Sequence, residues 1–246
     1  MNEKWQKLWQ AELWLGAGFL LLVIAGVIYG VIQLNRYLED EQRVPVQRIM
    51  LSGQRTQIDD AQIENLVRSR HPGSFFELDV DKVLADVQSL PWVYKASVRK
   101  RWPVSLQLHV VEQVPAAHWN DDLLLNQYGE SFAAVAADLA LPALFGPGGS
   151  EQVALEGYKA MQGLLNTTQL KVTELFLSER FAWHIKLSNG ISLNLGRTEF
   201  IDRLQRFIDL YPLLNKDERE VDYVDLRYDT GFAVGWKPSQ QLKQES

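Results

Sequence analysis

The feature that most constrains this chain is an unbroken run of 20 residues without a charge, Leu13 to Ile32 (LWLGAGFLLLVIAGVIYGVI). At a rise of about 1.5 Å per residue, a helix of that length spans roughly the 30 Å hydrocarbon core of a bilayer, and a helix bonds all its interior backbone groups internally, as lipid requires. The run predicts one transmembrane helix over 13–34, a short tail at 1–12 before it and a linker at 35–43 after it. Trp9 and Trp14 on one side, with Tyr29 and Tyr37 towards the other, fit the aromatic belts found at headgroup level. A cleaved signal peptide has a shorter apolar stretch of about 7 to 15 residues and a small-residue cleavage site, and the sequence after Ile32 (QLNRYLEDEQ) has none, so the segment is expected to stay attached. Gly26 and Gly30 form a GxxxG pair, which is either a face for close approach of another helix or the ordinary glycine content of membrane helices. Lys4 and Lys7 precede the run and Arg36, Arg43 and Arg48 follow it, while the acidic run Glu39-Asp40-Glu41 carries little weight. Charge counting therefore does not orient the helix, and a long domain crosses largely regardless of charge.

Across 246 residues there are 25 Lys+Arg against 31 Asp+Glu, a net charge of -6, and no cysteine. That balance argues against a nucleic-acid binder that neutralises phosphates over a broad surface. The lack of cysteine excludes a disulfide scaffold, thiolate chemistry and Cys-ligated metal. Lys4 and Lys7 offset Glu3 and Glu12 within residues 1–34, so the net acidity belongs to the body that follows.

The body reads as two modules. Residues 44–112 open with VPVQRIMLSG, a short apolar strand closed by Ser52-Gly53. Asp59, three residues before Gln62, caps a helix of about Asp59 to Ser69 with Ile63, Leu66 and Val67 at helical spacing, and His71-Pro72-Gly73 breaks it. Asp79 caps a second helix carrying Val83, Val87 and Leu90, with Leu84 beside them, and Pro91 ends it. The spacing then alternates: Tyr94, Ala96 and Val98 on one strand, Val104, Leu106, Leu108 and Val110 on the next, joined at Arg101-Trp102-Pro103. The order is β-α-α-β-β, with two helices to cover one sheet face. Arg99, Lys100 and Arg101 form a basic patch at the hairpin, read either as a docking spot for an acidic partner or the membrane surface, or as a solvated strand end.

Residues 113–236 are strand-rich. Trp119, Leu123 to Leu125, a Tyr128-Gly129 turn and Phe132 predict a hairpin, and Leu141 to Phe145 another apolar stretch. Gly146-Pro147-Gly148-Gly149 matches neither phosphate-binding pattern and reads as a turn. Ser150 is expected to cap a helix with Ala154, Tyr158, Met161 and Leu165 on one face. The clearest hairpin places Trp183, Ile185 and Leu187 before Asn189-Gly190 and Ile191, Leu193 and Leu195 after it, which predicts a type I′ turn. Thr198 opens a helix whose stripe is Leu204, Phe207, Ile208 and Tyr211, before Pro212; Asn215 to Glu220 follows as a charged connector. The stretch YVDLRYDTGFAVGW, Tyr223 to Trp236, predicts a terminal hairpin with Val224, Leu226 and Tyr228 on one face, a turn at Asp229-Thr230-Gly231, and Phe232, Val234 and Trp236 alternating after it. The tail, 237–246, is polar and expected to be disordered.

The β-α-α-β-β module resembles a POTRA domain, a small polypeptide-binding unit. The whole layout, together with LPWVYKASVRKRWP at Leu90 to Pro103, NGISLNLGR at Asn189 to Arg197 and above all YVDLRYDTGFAVGW, resembles the FtsQ/DivIB family of bacterial cell-division proteins. The resemblance implies an α+β fold with a single N-terminal transmembrane helix, a POTRA domain and a mixed β domain with covering helices and a C-terminal edge hairpin. It further implies a non-enzymatic, single-pass scaffold of the inner membrane at the division septum, N-terminus cytoplasmic and body periplasmic. Its implied partners are FtsB and FtsL among other divisome proteins, with no nucleic acid and no cofactor; through them it helps control septal peptidoglycan synthesis. Carried over residue by residue, the FtsB-binding positions are Tyr228, Thr230, Gly235, Trp236, Arg227, Leu210 and Arg180, with Thr230 where the family commonly has Ser. On the second POTRA strand, Lys95, Val98 and Lys100 match the family's recruitment region. From the residues themselves, Tyr228 and Trp236 read either as interface anchors or as core, Arg180 as an ion-pair donor or a solvated turn residue, and Val98 equally as core.

An enzyme finds little support in the sequence. His71, His109, His118 and His184 lack HExxH or comparable ligand spacing, and there is no GxSxG elbow or SxxK. Glu112 and Asp138 are conceivable general acids that no pattern pairs. A POTRA-based chaperone for exported polypeptides is the alternative in another class, but no run of about ten-residue alternating barrel strands accompanies the module.

Overall fold

The computed structural model describes residues 3–39, 45–136, 139–214 and 219–238, with side chains of the first helix placed over 16–37. The tail 239–246, Asp138, Arg43, Asp40-Glu41 and much of the 215–220 connector lie outside the described residues, as do the side chains of Trp9 and Trp14.

The first helix, α1, runs Glu3–Glu39 and so outlasts the predicted 13–34 at both ends. Its flanks, EKWQKLWQAE and QLNRYLE, contain no Gly or Pro to stop it. Within it the 22 residues Gly16–Tyr37 are long and apolar enough to cross a bilayer once, and none is buried by the rest of the chain. The space around Gly26 and Gly30 is open.

The chain divides into two compact units, Met1–Glu112 and Gln113–Ser246. In the first, β1 (Arg48–Ser52), α2 (Asp60–Arg70), α3 (Val80–Gln88), β2 (Val93–Arg101) and β3 (Ser105–Glu112) follow the expected order. The sheet order is β1-β3-β2, with β1 parallel and β2 antiparallel to β3. Asp59 stands just outside α2 as its cap and accepts from the Ala61 N–H, while the Asp79 carboxylate accepts from the Asp81 and Lys82 N–H groups at α3. Ile63 and Val67 of α2 and Val83 and Val87 of α3 are buried against Leu106, Leu108 and Val110. Each such side chain contributes roughly 1.5 to 3 kcal/mol relative to exposure.

The second unit is a nine-stranded mixed sheet in the order β12-β11-β10-β9-β8-β7-β4-β5-β6. Its strands are β4 (Pro115–Trp119), β5 (Leu123–Asn126), β6 (Ser131–Phe132), β7 (Ala143–Phe145), β8 (Val172–Leu177), β9 (Trp183–Leu187), β10 (Ser192–Gly196), β11 (Val221–Asp225) and β12 (Ala233–Trp236). Parallel neighbours need a crossover, and α4 (Glu151–Leu165) supplies it between β7 and β8 and α5 (Phe200–Leu214) between β10 and β11. The two helices pack on each other and share one core with the sheet. A single registered row, Trp119, Leu144, Leu175, Ile185, Leu193 and Val224, runs buried across six strands.

Three local expectations are corrected. Ser150 sits at the start of α4, but its hydroxyl donates to the Pro147 carbonyl, 2.6 Å away, and caps no helical N–H. In the turn between β9 and β10 only Gly190 has positive φ (+87°), and its N–H bonds Leu187 O, so the tight turn is centred on Ser188-Asn189 with a glycine after it. This is the pattern of a type I turn with a glycine bulge, not I′. The following strand carries a further irregularity between Asn194 and Gly196. Last, α5 begins at Phe200 rather than Thr198 and continues through Pro212 to Leu214, where the ring removes one backbone hydrogen bond instead of ending the helix.

Glu112 also has a definite place. At the end of β3 its carboxylate accepts from the backbone N–H groups of Thr56, Gln57 and Ile58 at 2.7, 3.0 and 2.8 Å and from the Thr56 hydroxyl at 3.1 Å, tying the loop before α2 to the sheet. Partial burial pushes its pKa up, but these donors outweigh it and hold the group below the ordinary glutamate range. A carboxyl depressed on folding stabilises above the unfolded pKa of about 4.3 and loses that contribution as pH falls through the folded value. Glu112→Gln is therefore expected to lower stability by about 1 to 2 kcal/mol near neutral pH. The gap to the parent should close below about pH 4 in denaturant unfolding run across pH; a gap independent of pH would show that charge on Glu112 contributes nothing.

Candidate partner-binding edge

β12 closes the sheet on one side. It pairs with β11 through Val221↔Trp236, Tyr223↔Gly235, Val224↔Val234 and Asp225↔Ala233, and Lys237 N–H adds a bond to Glu220 O at 2.8 Å. Its other edge has no partner strand among the described residues. Phe232, Val234 and Trp236 are half-buried against the core, whereas Ala233 and Gly235 alternate to the opposite face. There Tyr223, 44% exposed, lies across Gly235: a Cβ at Gly235 would stand 2.1 Å from Tyr223 Cε1. The Arg219 guanidinium sits 4.0 Å from the centroid of the Trp236 ring, a cation–π distance.

The chain leaves the sheet after Asp225, which changes the expected face of Tyr228. Leu226 is buried, bonding Asn194 O through its N–H, but Tyr228 does not continue that face and is 56% exposed in the loop to β12. The loop is pinned from α5, where Arg206 Nη1 donates to the carbonyls of Tyr228 and Gly231 at 3.0 and 3.2 Å. Thr230 is exposed in it. Arg227 holds Asp225 in a fork, Nε and Nη2 at 2.9 and 2.6 Å from its two oxygens. Hydrogen bonding from this guanidinium, against the opposing effect of burial, keeps the Asp225 carboxyl below its usual range. Arg180 is exposed in the β8–β9 turn at the same end of the sheet, three strand spacings from β12, or about 14 Å. Leu210 is half-buried on α5, beside Tyr211, whose hydroxyl accepts from Asn189 in the turn at the opposite end. The fold thus gathers Arg227, Tyr228 and Thr230 into one loop and lays Gly235 and Trp236 along the edge, with Arg180 and Leu210 set apart.

On the first unit, β2 is likewise an edge strand. Lys95 is exposed, its ammonium 4.8 Å from the Tyr94 ring centroid. Val98 packs partly on the core. Lys100 donates to Phe76 O at 2.9 Å, and burial pushes its pKa down. Elsewhere, His71 contacts Asp86 at 2.8 Å and His109 contacts the Ser52 hydroxyl at 3.1 Å. Among the described residues no group of three or more His, Asp or Glu side chains is placed to hold a metal ion.

Two family models match this architecture: "POTRA domain, FtsQ-type" over residues 44–113 and "Cell division protein FtsQ/DivIB, C-terminal" over 117–227. The cell division protein FtsQ of Shewanella oneidensis is 42% identical over 230 residues, covering 93% of this chain and 88% of that protein. The chain belongs to the FtsQ/DivIB family. FtsQ of Aliivibrio fischeri is 39% identical over 94% of the chain and 91% of its own length, and FtsQ of Escherichia coli 38% identical over 91% and 84%. Beside the positions that family resemblance supplied, the structure adds three that the sequence did not single out: Tyr223 over Gly235, Arg206 under the loop and Arg219 on Trp236. The turn expected at Asp229-Thr230-Gly231 would have set Tyr223 opposite Lys237; the pairing with Gly235 shifts the centre of the loop by one residue.

Gly235→Ala is expected to destabilise the β11–β12 pair by about 1 to 3 kcal/mol, because the Tyr223 ring must leave its seat. Adding Tyr223→Ala should return most of that loss in thermal unfolding; equal melting of single and double variants would mean that the ring does not set the requirement for glycine.

Proposed function

We propose that this chain is a non-enzymatic scaffold of bacterial cell division that recruits FtsB, and with it FtsL, by strand addition to β12, and so helps control septal peptidoglycan synthesis. α1 is its inner-membrane anchor, with the N-terminus in the cytoplasm and both units in the periplasm at the septum. The observation that carries this reading is the open outer edge of β12, bounded by exposed Tyr228 at one end and Trp236 at the other. An unpaired edge offers N–H and C=O groups that an extended peptide completes, while flanking aromatic rings provide anchoring area. Arg180 and Arg227 add positive charge at the end of the sheet where the loop emerges, and Arg227 is oriented by Asp225. In the POTRA unit, Lys95 is exposed beside the Tyr94 ring, whereas Val98 packs partly on the core and Lys100 is held by the Phe76 carbonyl.

Tyr228→Ala should reduce FtsB capture by the full chain at least about 30-fold, the scale of an interface hot spot, with an unchanged melting temperature. Trp236→Ala should abolish capture and also lower the melting temperature by several degrees, because that ring rests partly on the core. Undiminished capture by both variants would overturn the edge assignment. Replacing Gly16–Tyr37 with an unrelated membrane helix is expected to preserve most of the protein's ability to support division; complete loss would instead make Gly26 and Gly30 a helix contact.

A further inference from the structure

The helix-free face of the first unit's sheet has a composition unlike the rest of the body. Register places Arg48, Ser105 and Arg101 in one cross-strand row and Met50, Gln107 and Arg99 in the next row on the same face. Further along, Lys95 shares that face, and the intervening positions are Ser, His and Val, so the face carries four cations and no carboxylate in a chain whose net charge is -6. Arg48, Arg99 and Arg101 are exposed and form no ion pair with any described residue. At the hairpin end of this face stands Trp102, 79% exposed, followed by exposed Pro103. An indole left so bare beside unpaired guanidinium groups is costly in water and suited to a boundary that is wet and apolar at once.

Topology says which boundary. β1 runs parallel to β3, so the end of the sheet where the chain enters at Arg48 is also the end where the β2–β3 hairpin turns at Trp102. Only nine residues lead from Glu39, the last residue of α1, to Arg48. Even fully extended, nine residues reach about 30 Å, so the hairpin end is confined near the membrane surface that α1 leaves. We propose that the tip formed by Trp102, Arg101, Arg99 and Arg48 is a second membrane contact, in which the indole seats at headgroup level and the guanidinium groups bind anionic lipid phosphates. The tip holds the first unit at a fixed tilt to the bilayer, and its acid-free face lies towards the lipid within a Debye length. This inference rests on α1 crossing a bilayer and is independent of partner docking at β12.

Because the chain has no cysteine, one introduced thiol takes a fluorophore uniquely. The full-length protein carrying Ser105→Cys, between Arg48 and Arg101, would be labelled with bimane and placed in nanodiscs containing headgroup spin-labelled lipid, with either phosphatidylcholine alone or about 30% phosphatidylglycerol. The expected result is quenching at least about three-fold stronger in the anionic discs, lost in Trp102→Ser and in Arg48→Glu/Arg101→Glu and retained in Trp102→Tyr. The same label at Asn65→Cys, on exposed α2, should stay unquenched. Equal quenching at the two positions, no dependence on anionic lipid, or quenching unmoved by the substitutions would overturn the proposal. A tip unquenched in lipid but captured by another protein would overturn it too. FtsB capture by the same variants should be unchanged, which separates failure here from failure of the β12 assignment.

Discussion

A strand bonded on one side only is the constraint around which the second unit is organised. Eight strands satisfy their backbone groups through neighbours or leave them at the far margin beyond β6, while β12 rests on β11 alone through four registered pairs. Such an edge invites uncontrolled pairing, and this one is kept brief: it has four residues, Lys237 follows at once, and Pro238 has no N–H with which to extend a ladder. What remains open is short and specific in outline. The surrounding contacts serve to hold that outline still, with Arg206 of α5 fastening the loop carbonyls on one side and the Asp225–Arg227 fork fixing where the chain departs from the sheet.

The architecture was largely legible because its signals are periodic. Alternation at Leu106, Leu108 and Val110 and helical spacing at Val83 and Val87 report burial directly, and the aspartates at 59 and 79 mark helix starts through local hydrogen bonds. The misreadings arise where a residue type permits several geometries. Ser150 is a common cap, yet its hydroxyl found a nearer carbonyl; Asn-Gly favours one turn in a two-residue loop and another when the loop is longer; Pro212 falls close enough to a helix end to be tolerated. A two-residue period sets Tyr228 on the face of Val224 and Leu226, but the strand stops at Asp225 and the period with it. The edge itself could be guessed from chain order, but the order of nine strands, two of them reached by helical crossovers, depends on pairings far apart in sequence that periodicity does not encode.

Charge is distributed against the average. In an acidic body the helix-free face of the first unit gathers Arg48, Arg99 and Arg101, which form no ion pair with a described residue, while the row from Trp119 to Val224 through the second unit's core is aliphatic and aromatic throughout. Four carboxylates, Asp59, Asp79, Glu112 and Asp225, serve backbone N–H groups and a neighbouring guanidinium, as stays for loops and helix starts.

The Tyr223 ring over Gly235 carries a consequence for whatever docks outside β12. Sliding β12 along β11 by two residues would bring Ala233 or a lysine beneath the ring, and only one position in the strand lacks the atom that would collide. The aromatic cover therefore works as a frame-setting key: it fixes the phase in which amides and carbonyls are offered outward, and any visiting backbone inherits that phase, so its own side chains are sorted between the two faces before any of them makes contact.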